Sequence, residues 1–388
     1  MQFDVAGLQQ MLLDLGEKHY RARQLAEWLY LRGAEDFASM DTLPRALRAA
    51  LAERFVFSQP RILQKLVARD GTLRYLLELS DGVKTETVAI SSGRRLTVCF
   101  STQAGCALGC VFCATGRMGL GRSLLPGEML SQLAVVAADA ADVRASNVVA
   151  MGQGEPFANY DATLSALRMM NSPELFGIGG RHITVSTAGL VRPLRRFASE
   201  PEQFTLAVSL HSAEQHVRDL LMPGLKSQPL NRLREALLFY MESSSRRPSL
   251  EYALIEGVND SEQALASLLA FCRAPAPGFH VNLLTLNADG LARPLGREAA
   301  GSVEGEGLLQ APNPEEKQRP LSTPSTGLSP LSMAELPLLK KAGAGAFRRF
   351  EQGLNAAGVS VSRRVSRGAS INAACGQLAC STSEAEEA

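Results

Sequence analysis

The sequence predicts an α/β fold, a partial (βα)6 barrel that a β-ribbon joins to a small helical domain. Between residues 97 and 287, six short apolar stretches alternate with stretches of helical periodicity. Repeated β-then-α units indicate a parallel sheet with helical crossovers, and six units are enough to curl the sheet into part of a barrel. Because catalytic side chains of such folds lie at the carboxyl ends of the strands, we expect the reactive residues there.

Composition indicates an ordinary globular protein. The chain has 388 residues, of which 46% are hydrophobic and 20% are charged, and its formal net charge is +1. These values exclude collagen, wholesale disorder and a disulfide-knotted miniprotein. No apolar run approaches the roughly 18 residues of a membrane span, and the first 20 residues lack the layout of a signal peptide. We therefore expect a cytoplasmic protein without a membrane partner.

Residues 1–57 are predicted to form a helical domain, because apolar residues recur there every three or four positions. We expect the sole tryptophan, Trp28, in its core. Residues 58–95 change to short alternating runs that are broken by Asp-Gly pairs at 70–71 and 81–82. Such pairs are hairpin signals, so this segment is predicted to be a β-ribbon linker.

The partial barrel is assigned to residues 96–287. Its six strands are identified with the runs LTVCF, NVVAMG, HITVST, FTLAVSL, SLEYALI and FHVNLLT. Residues 288–333 are rich in proline and glycine and have no hydrophobic period, which predicts a flexible insertion. Residues 334–388 are predicted to contain a helix over about 334–357, the strand VSVSRRV, a cysteine-bearing loop and a frayed tail.

The near-neutral net charge conceals two basic ends. Residues 18–74 carry eleven Lys and Arg against six Asp and Glu, and residues 340–367 carry seven against Glu351 alone. Basic ends around a neutral middle suit a phosphate-rich partner that is held from two sides. On charge alone, two solvated helix faces explain the pattern equally well.

Three cysteines, Cys106, Cys110 and Cys113, directly follow the first barrel strand at spacings of four and three residues. Three thiolates cannot complete a tetrahedral structural zinc site, but they can hold three irons of a cubane cluster and leave the fourth open. This spacing resembles that of radical S-adenosylmethionine (SAM) enzymes, which implies that SAM chelates the open iron and is split to a 5′-deoxyadenosyl radical. The alternatives are a chance trio of buried thiols and a zinc site completed by histidine.

Polar residues follow the later strands. The run that includes Gly154 and Glu155 ends the second strand, where glycines allow a close ligand approach and a carboxylate can accept an amino group. A tight turn and ordinary packing histidines explain such features as well. The other polar residues at strand ends are Ser186, Ser209, His211 and Asn287.

Further cysteines lie outside the cluster motif. Cys99 is inside the first barrel strand, and Cys375 is on a loop after the last strand, downstream of a basic run that would favour its thiolate. A buried, inert thiol is the alternative for both and is the interpretation that we adopt for Cys272. The sequence alone does not show that the thiols of Cys99 and Cys375 meet.

Together these residues resemble the RlmN/Cfr family of radical SAM RNA methyltransferases. The similarity covers nearly the whole chain except about 288–340. It rests on the runs HYRARQLAEWLYLRGAEDFASM, QAGCALGCVFCATGRMGLGR, VSLHSAEQHVRDLLMP, EYALIEGVNDS and AACGQL.

The resemblance implies a [4Fe-4S] cluster on Cys106, Cys110 and Cys113, and two SAM molecules for each methyl group. Cys375 would accept a methyl group from the first SAM, and the radical from the second would activate it for addition to an adenine ring carbon. Cys99 would then release the product through a transient disulfide with Cys375.

The remaining site residues also follow from the resemblance. Glu86 in KTETV matches the proton acceptor of the family, although it is otherwise only a polar residue on a β-ribbon. The implied SAM contacts are Gly154, Glu155, Ser186, Ser209, His211 and Asn287.

The helical N-terminal domain resembles the RlmN side of the family, which implies methylation of carbon 2 of an adenosine in 23S rRNA and in some tRNAs. The alternatives are a Cfr-like enzyme that modifies carbon 8, a radical SAM enzyme with a small-molecule or polypeptide substrate, and a non-catalytic RNA-binding relative. We expect a monomer that receives electrons from a donor such as flavodoxin. The chain departs from the family pattern at Gln153, where we expect methionine, at RGASIN, and at the additional Cys380.

Overall fold

A computed structural model describes residues 5–57, 59–93, 95–139, 144–287 and 339–380. The chain starts with three helices, as predicted: α1 Val5–Asp14, α2 Arg21–Tyr30 and α3 Arg45–Arg54. Their apolar faces pack together because leucines recur on one side of each helix. Trp28 is only half-buried, at the edge of this core rather than inside it, because its indole N–H reaches the Thr42 hydroxyl and Arg32 covers its ring.

The ribbon segment forms three antiparallel strands, β1 Arg61–Val67, β2 Leu73–Glu78 and β3 Lys84–Ser92. The predicted hairpin turns are present, and Gly71 and Gly82 adopt left-handed φ angles in them. Strand β3 pairs antiparallel with the first barrel strand, β4 Arg95–Cys99, so the ribbon continues the barrel sheet.

Six parallel strands form the partial barrel, which confirms the predicted fold class. They are β4, β7 Ala145–Ala150, β8 Ile183–Thr187, β9 Thr205–Ser209, β10 Ser249–Leu254 and β11 His280–Thr285. They are adjacent in chain order. The central residues of β9 and most of β10 are buried, whereas β7, β8 and β11 alternate between buried and partly exposed positions. A separate two-stranded sheet, β5 Gln103–Gly105 and β6 Leu120–Ser123, flanks the cysteine loop.

Helices follow the barrel strands as crossovers. They are α4 Ala114–Arg117, α5 Pro126–Asp139, α6 Tyr160–Asn171, α7 Val191–Ala198, α8 Gln215–Leu221, α9 Leu230–Ser244 and α10 Glu262–Cys272. Within the described ranges, no helix combines the length and apolar character that a membrane crossing requires.

The C-terminal part adds α11 Ala344–Ala356 and β12 Ser360–Arg363, which pairs parallel with β11 at the sheet edge. The helix begins later than the predicted residue 334. Lys341 instead forms a β-bridge with Ile255, and Gly343 is extended, so the chain turns into the helix only at Ala344. The predicted flexible insertion and frayed tail lie outside the described residues.

Candidate active site

A cavity of about 410 Å³ opens at the carboxyl ends of the barrel strands. It brings together segments from the first barrel strand to the C-terminal loop, which are far apart in sequence. The predicted site residues that line it are Cys99, Cys106, Cys110, Cys113, Gly154, Glu155, Ser186, Ser209, His211, Asn287 and Cys375. Of the predicted set, only Glu86 is absent from the cavity wall among the described residues.

The three-cysteine loop is held by backbone hydrogen bonds. The Cys106 N–H donates to the Gly119 carbonyl over 2.8 Å, and the Cys113 N–H donates to the Cys110 carbonyl over 3.0 Å. The thiols of these cysteines interact electrostatically with one another, and burial raises the pKa of each. Among the described residues, no three His, Cys, Asp or Glu side chains converge as ligands of a single ion would. Three cysteines that each bind a different iron of one cubane need no such convergence, so this donor set fits a [4Fe-4S] cluster.

After β7, the second barrel strand, a glycine allows the backbone to pack closely against Gln103. A Cβ atom at Gly154, where φ is +96°, would lie 2.5 Å from the Cβ of Gln103, so only glycine fits. This turn carries the Glu155 carboxylate into the cavity wall with 3% exposure. One carboxylate oxygen accepts from the Thr187 hydroxyl and the other from the Ala188 N–H, each over 2.6 Å. Burial raises the Glu155 pKa, and a bound amino group would favour the ionised form.

His211 has a fixed tautomer. Its Nδ1 accepts a hydrogen bond from the Ala253 N–H over 3.1 Å, so the neutral ring carries its proton on Nε2. The residue adopts a left-handed φ of 53°, and the Asn259 side chain holds its carbonyl. Burial lowers the His211 pKa to about 3, so the ring is a neutral donor at physiological pH.

The thiols of Cys99 and Cys375 face the same cavity. Cys99 is 8% exposed, whereas Cys375 is exposed, and the two interact electrostatically. Burial raises the Cys99 pKa to about 12, so this thiol is protonated at neutral pH. The guanidinium of Arg364 interacts with both cysteines. Cys272, predicted to be an inert buried residue, lies in the main hydrophobic core.

Glu86 lies behind the cavity wall and is 0% exposed. It forms an ion pair with Arg74, whose Nε donates to it over 2.7 Å. The backbones of Ala379 and Cys380 also hydrogen-bond to this carboxylate. Burial raises the Glu86 pKa despite these partners. The structure therefore separates Glu86 from the other predicted site residues by a layer of the C-terminal loop.

Gln153 and Cys380, two residues at which the sequence departs from the pattern that we expect, contact each other. The Gln153 Nε2 lies 3.2 Å from the Cys380 sulfur, and it lies 3.5 Å from a Glu86 carboxylate oxygen. The Gln153 backbone N–H is held by the Ser101 hydroxyl over 2.8 Å. The Gln153 amide thus contacts both the Cys380 thiol and the Glu86 carboxylate.

Sequence reasoning missed two buried charges beside the cavity, Glu251 and Arg218. Glu251 lies in the wall, where one carboxylate oxygen accepts from Asn282 over 2.8 Å and the other lies 3.8 Å from Arg364. Arg218 is 0% exposed, does not line the cavity and interacts electrostatically with Cys110. Both residues lie in runs on which the family resemblance rests, but neither was singled out, because a charge on a strand or short helix is usually solvated.

The exposed charged side chains of the cavity wall are arginines. Arg367 follows the carboxyl end of β12, whereas Arg95 begins β4 at its amino end. The carboxylates of the wall, Glu155 and Glu251, are buried. An approaching polyanion therefore meets cations first.

The parallel partial barrel with a three-cysteine loop at its carboxyl end defines a radical SAM enzyme. Residues 100–269 match the model of the radical SAM superfamily, and residues 1–57 match that of the ribosomal RNA large subunit methyltransferase N-terminal domain. The chain belongs to the RlmN family of radical SAM RNA methyltransferases. It is therefore an RNA methyltransferase that uses a [4Fe-4S] cluster and SAM.

The relatives that support this assignment cover most of the chain. A probable dual-specificity RNA methyltransferase RlmN of Geobacillus kaustophilus is 42% identical over 72% of this chain and 77% of its own length. One of Pelotomaculum thermopropionicum is 39% identical over 96% of this chain and 89% of its own. The crystal structure of a radical SAM methyltransferase from Sphaerobacter thermophilus is 36% identical, covers 98% of both chains and superposes with a TM-score of 0.80.

The low pKa of His211 predicts a component of acid destabilisation. The folded state keeps this ring neutral down to about pH 3, whereas the unfolded state takes up the proton near pH 6.5. The contribution of His211 to the free energy of unfolding is thus fully present above pH 6.5 and is lost as the pH falls. The loss is about 2 kcal/mol between pH 7.5 and pH 5. We expect His211→Gln to lose less stability than the wild type over this range in denaturant titrations. The exposed His182→Gln is the control, and identical pH dependence in all three proteins would contradict the prediction.

Proposed function

We propose that this enzyme methylates carbon 2 of an adenosine in 23S rRNA and in tRNA, with Cys375 as a transient S-methylcysteine and two SAM molecules per methyl group. The observation that carries the proposal is the shared cavity, which holds the three-cysteine loop together with the thiols of Cys99 and Cys375. The relatives named dual-specificity RNA methyltransferases support two classes of RNA substrate. The N-terminal domain supports carbon 2 over the carbon-8 alternative.

The residues of the cavity wall divide between the two cofactors. Cys106, Cys110 and Cys113 would hold the cluster, which with SAM supplies a radical that removes a hydrogen atom. Glu155 offers a buried carboxylate for the amino group of SAM, and the His211 Nε2–H is a fixed donor. The other proposed SAM contacts are Gly154, Ser186, Ser209 and Asn287.

Cys375 is suited to carry a methyl group because its loop is fixed while its thiol stays accessible. The Ala114 N–H donates to the Gly376 carbonyl over 2.7 Å, and the Gln377 amide donates to the Asn287 carbonyl over 2.8 Å. These bonds tie the Cys375 loop to the cysteine loop and to the end of β11. The Arg364 guanidinium interacts electrostatically with Cys375.

Cys99 is proposed to resolve the RNA adduct by forming a disulfide with Cys375. Its burial keeps it protonated and therefore unreactive until the adduct forms, which protects the methyl carrier from premature oxidation. Glu86 is proposed as the proton acceptor, and in that role the segment at Ala379 and Cys380 must move off its carboxylate. An external donor such as flavodoxin would reduce the cluster, and the chain would act as a monomer.

We also propose a division of labour along the chain. Residues 1–57 and the exposed arginines of the cavity wall would hold folded RNA. Residues 58–95 would link the N-terminal domain to the barrel at 96–287, and residues 334–388 would supply the catalytic-cysteine loop. Residues 288–333 are assigned to an insertion.

We expect Cys375→Ala to abolish methylation of rRNA and tRNA while the protein still binds iron and cleaves SAM, because only the methyl carrier is removed. Mass spectrometry of RNA nucleosides measures the methyl product and its ring position, and absorbance reports the cluster. Cys272→Ala, which changes a buried thiol of the hydrophobic core outside the cavity wall, is the control and should still methylate. Full methylation by Cys375→Ala would refute the acceptor role.

We expect Cys99→Ala to accumulate a covalent RNA adduct at Cys375, because the resolving thiol is missing. Denaturing gels after a single turnover detect the adduct, and Cys99→Ala combined with Cys375→Ala should remove it. Normal product release by Cys99→Ala would count against the assignment.

We expect Arg95→Ala and Arg367→Ala each to weaken RNA binding and to reduce the slope of log K against log salt concentration by about one, as loss of one phosphate contact does. Filter binding over a salt series measures both values. Exposed Arg247, which precedes β10 and does not line the cavity, provides the control Arg247→Ala. Unchanged slopes for both Arg95→Ala and Arg367→Ala would exclude these residues as RNA contacts.

A further inference from the structure

Arg218 is a fully buried cation with unused hydrogen-bond donors. It lies on α8 with 0% exposure, and its Nη2 donates to the Ala188 carbonyl. Its Nε and Nη1 are buried and meet no hydrogen-bond acceptor among the described residues. A buried charge and unpaired donors both cost free energy unless an anion offsets them. The surroundings of Arg218 should therefore contain an anionic group when the enzyme is loaded.

Helix α8, which carries Arg218, lies against the cysteine loop, because the Val111 N–H donates to the Leu221 carbonyl over 3.0 Å and Cys110 and Leu221 belong to one buried cluster. Arg218 interacts electrostatically with Cys110, Glu155 and His211, and also with its chain neighbour Asp219. Cys110 and Glu155 line the cavity, whereas Arg218 lies behind them and does not. A ligand within the cavity therefore meets Cys110 and Glu155 before it meets Arg218.

A backbone link connects Arg218 to Glu155. The Ala188 carbonyl accepts from Arg218, and the Ala188 N–H donates to the Glu155 carboxylate over 2.6 Å. Gly189 makes room for this arrangement, because a Cβ there would lie 3.4 Å from the Arg218 Nη2 and 2.9 Å from a Leu233 methyl group. The same guanidinium thus supports the cluster loop on one side and the proposed SAM-binding carboxylate on the other.

We propose that Arg218 is a positioning residue that supplies a counter-charge to the iron–sulfur cluster from behind Cys110. Its charge would favour the reduced cluster, which carries one more electron than the oxidised form, and its Nε and Nη1 groups are not committed to any acceptor among the described residues. Hydrogen bonds and nearby charges are among the factors that set the potentials of such clusters. The inference rests on the proposed ligation of the cluster by Cys106, Cys110 and Cys113.

The test compares Arg218→Met, which removes the charge at similar length, with Arg218→Lys, which keeps it. Reductive titration of the reconstituted enzyme, followed by electron paramagnetic resonance, gives the midpoint potential. We expect Arg218→Met to lower the reduced-to-oxidised ratio at a fixed potential about tenfold, which is about 59 mV for one electron. Arg218→Lys should restore most of this change.

A second measurement separates a counter-charge from a merely structural role. In the cluster-free protein, Arg218→Met removes an unpaired buried charge, so its melting temperature should equal or exceed that of the wild type. With the cluster bound, the order should reverse. If Arg218→Met does not fold, Arg218→Gln replaces it in both measurements.

Three results would overturn the proposal. The first is an unchanged midpoint potential of Arg218→Met at full iron content. The second is an equal loss of melting temperature with and without the cluster. The third is an unchanged potential together with weakened SAM binding, which would assign Arg218 to the SAM carboxylate. Failure of the wild type itself to bind iron would refute the proposed ligation instead, so the two failures are distinguishable.

Discussion

The carboxyl ends of the parallel strands meet at one edge of the sheet, and the active site depends on this constraint. Each strand ends in a loop that faces the same cavity, so residues between Cys99 and Asn287 become neighbours. The C-terminal loop joins them because β12 extends the sheet beside β11. Two hydrogen bonds, one to Ala114 and one to Asn287, hold this loop against the other loops of the cavity. One backbone hydrogen bond and one bond from the Gln377 side-chain amide thus hold the loop that carries the Cys375 thiol.

Two arginines balance charge at the cavity. Partly exposed Arg364 interacts electrostatically with the Glu251 carboxylate and Cys375, and fully buried Arg218 interacts with the Glu155 carboxylate and Cys110. Around Arg218 the dielectric is low, and an isolated charge there would be costly. A change of charge on one member of either group changes the free energy of the others.

The C-terminal loop also closes off Glu86, and the departures of this chain from its family lie at that closure. Gln153 and Cys380 contact each other above the Arg74–Glu86 ion pair. The backbones of Ala379 and Cys380 bind the same carboxylate, so residues near Cys375 and the proposed proton acceptor belong to one hydrogen-bonded unit. The loop that carries Cys375 and the burial of Glu86 are therefore structurally linked.

Local patterns in the sequence determined the strands, most helices, the hairpin turns and the cysteine spacing, because periodicity and turn chemistry act between residues a few positions apart. Polar residues at strand ends were predicted as site residues since a parallel sheet aligns those ends. Only the tertiary structure decided that α11 starts at Ala344, that Trp28 lies at the edge of its core, that Glu86 is sealed from the cavity and that Arg218 and Glu251 are buried beside it. Burial of a charge depends on partners from distant segments, and no window of sequence contains those partners.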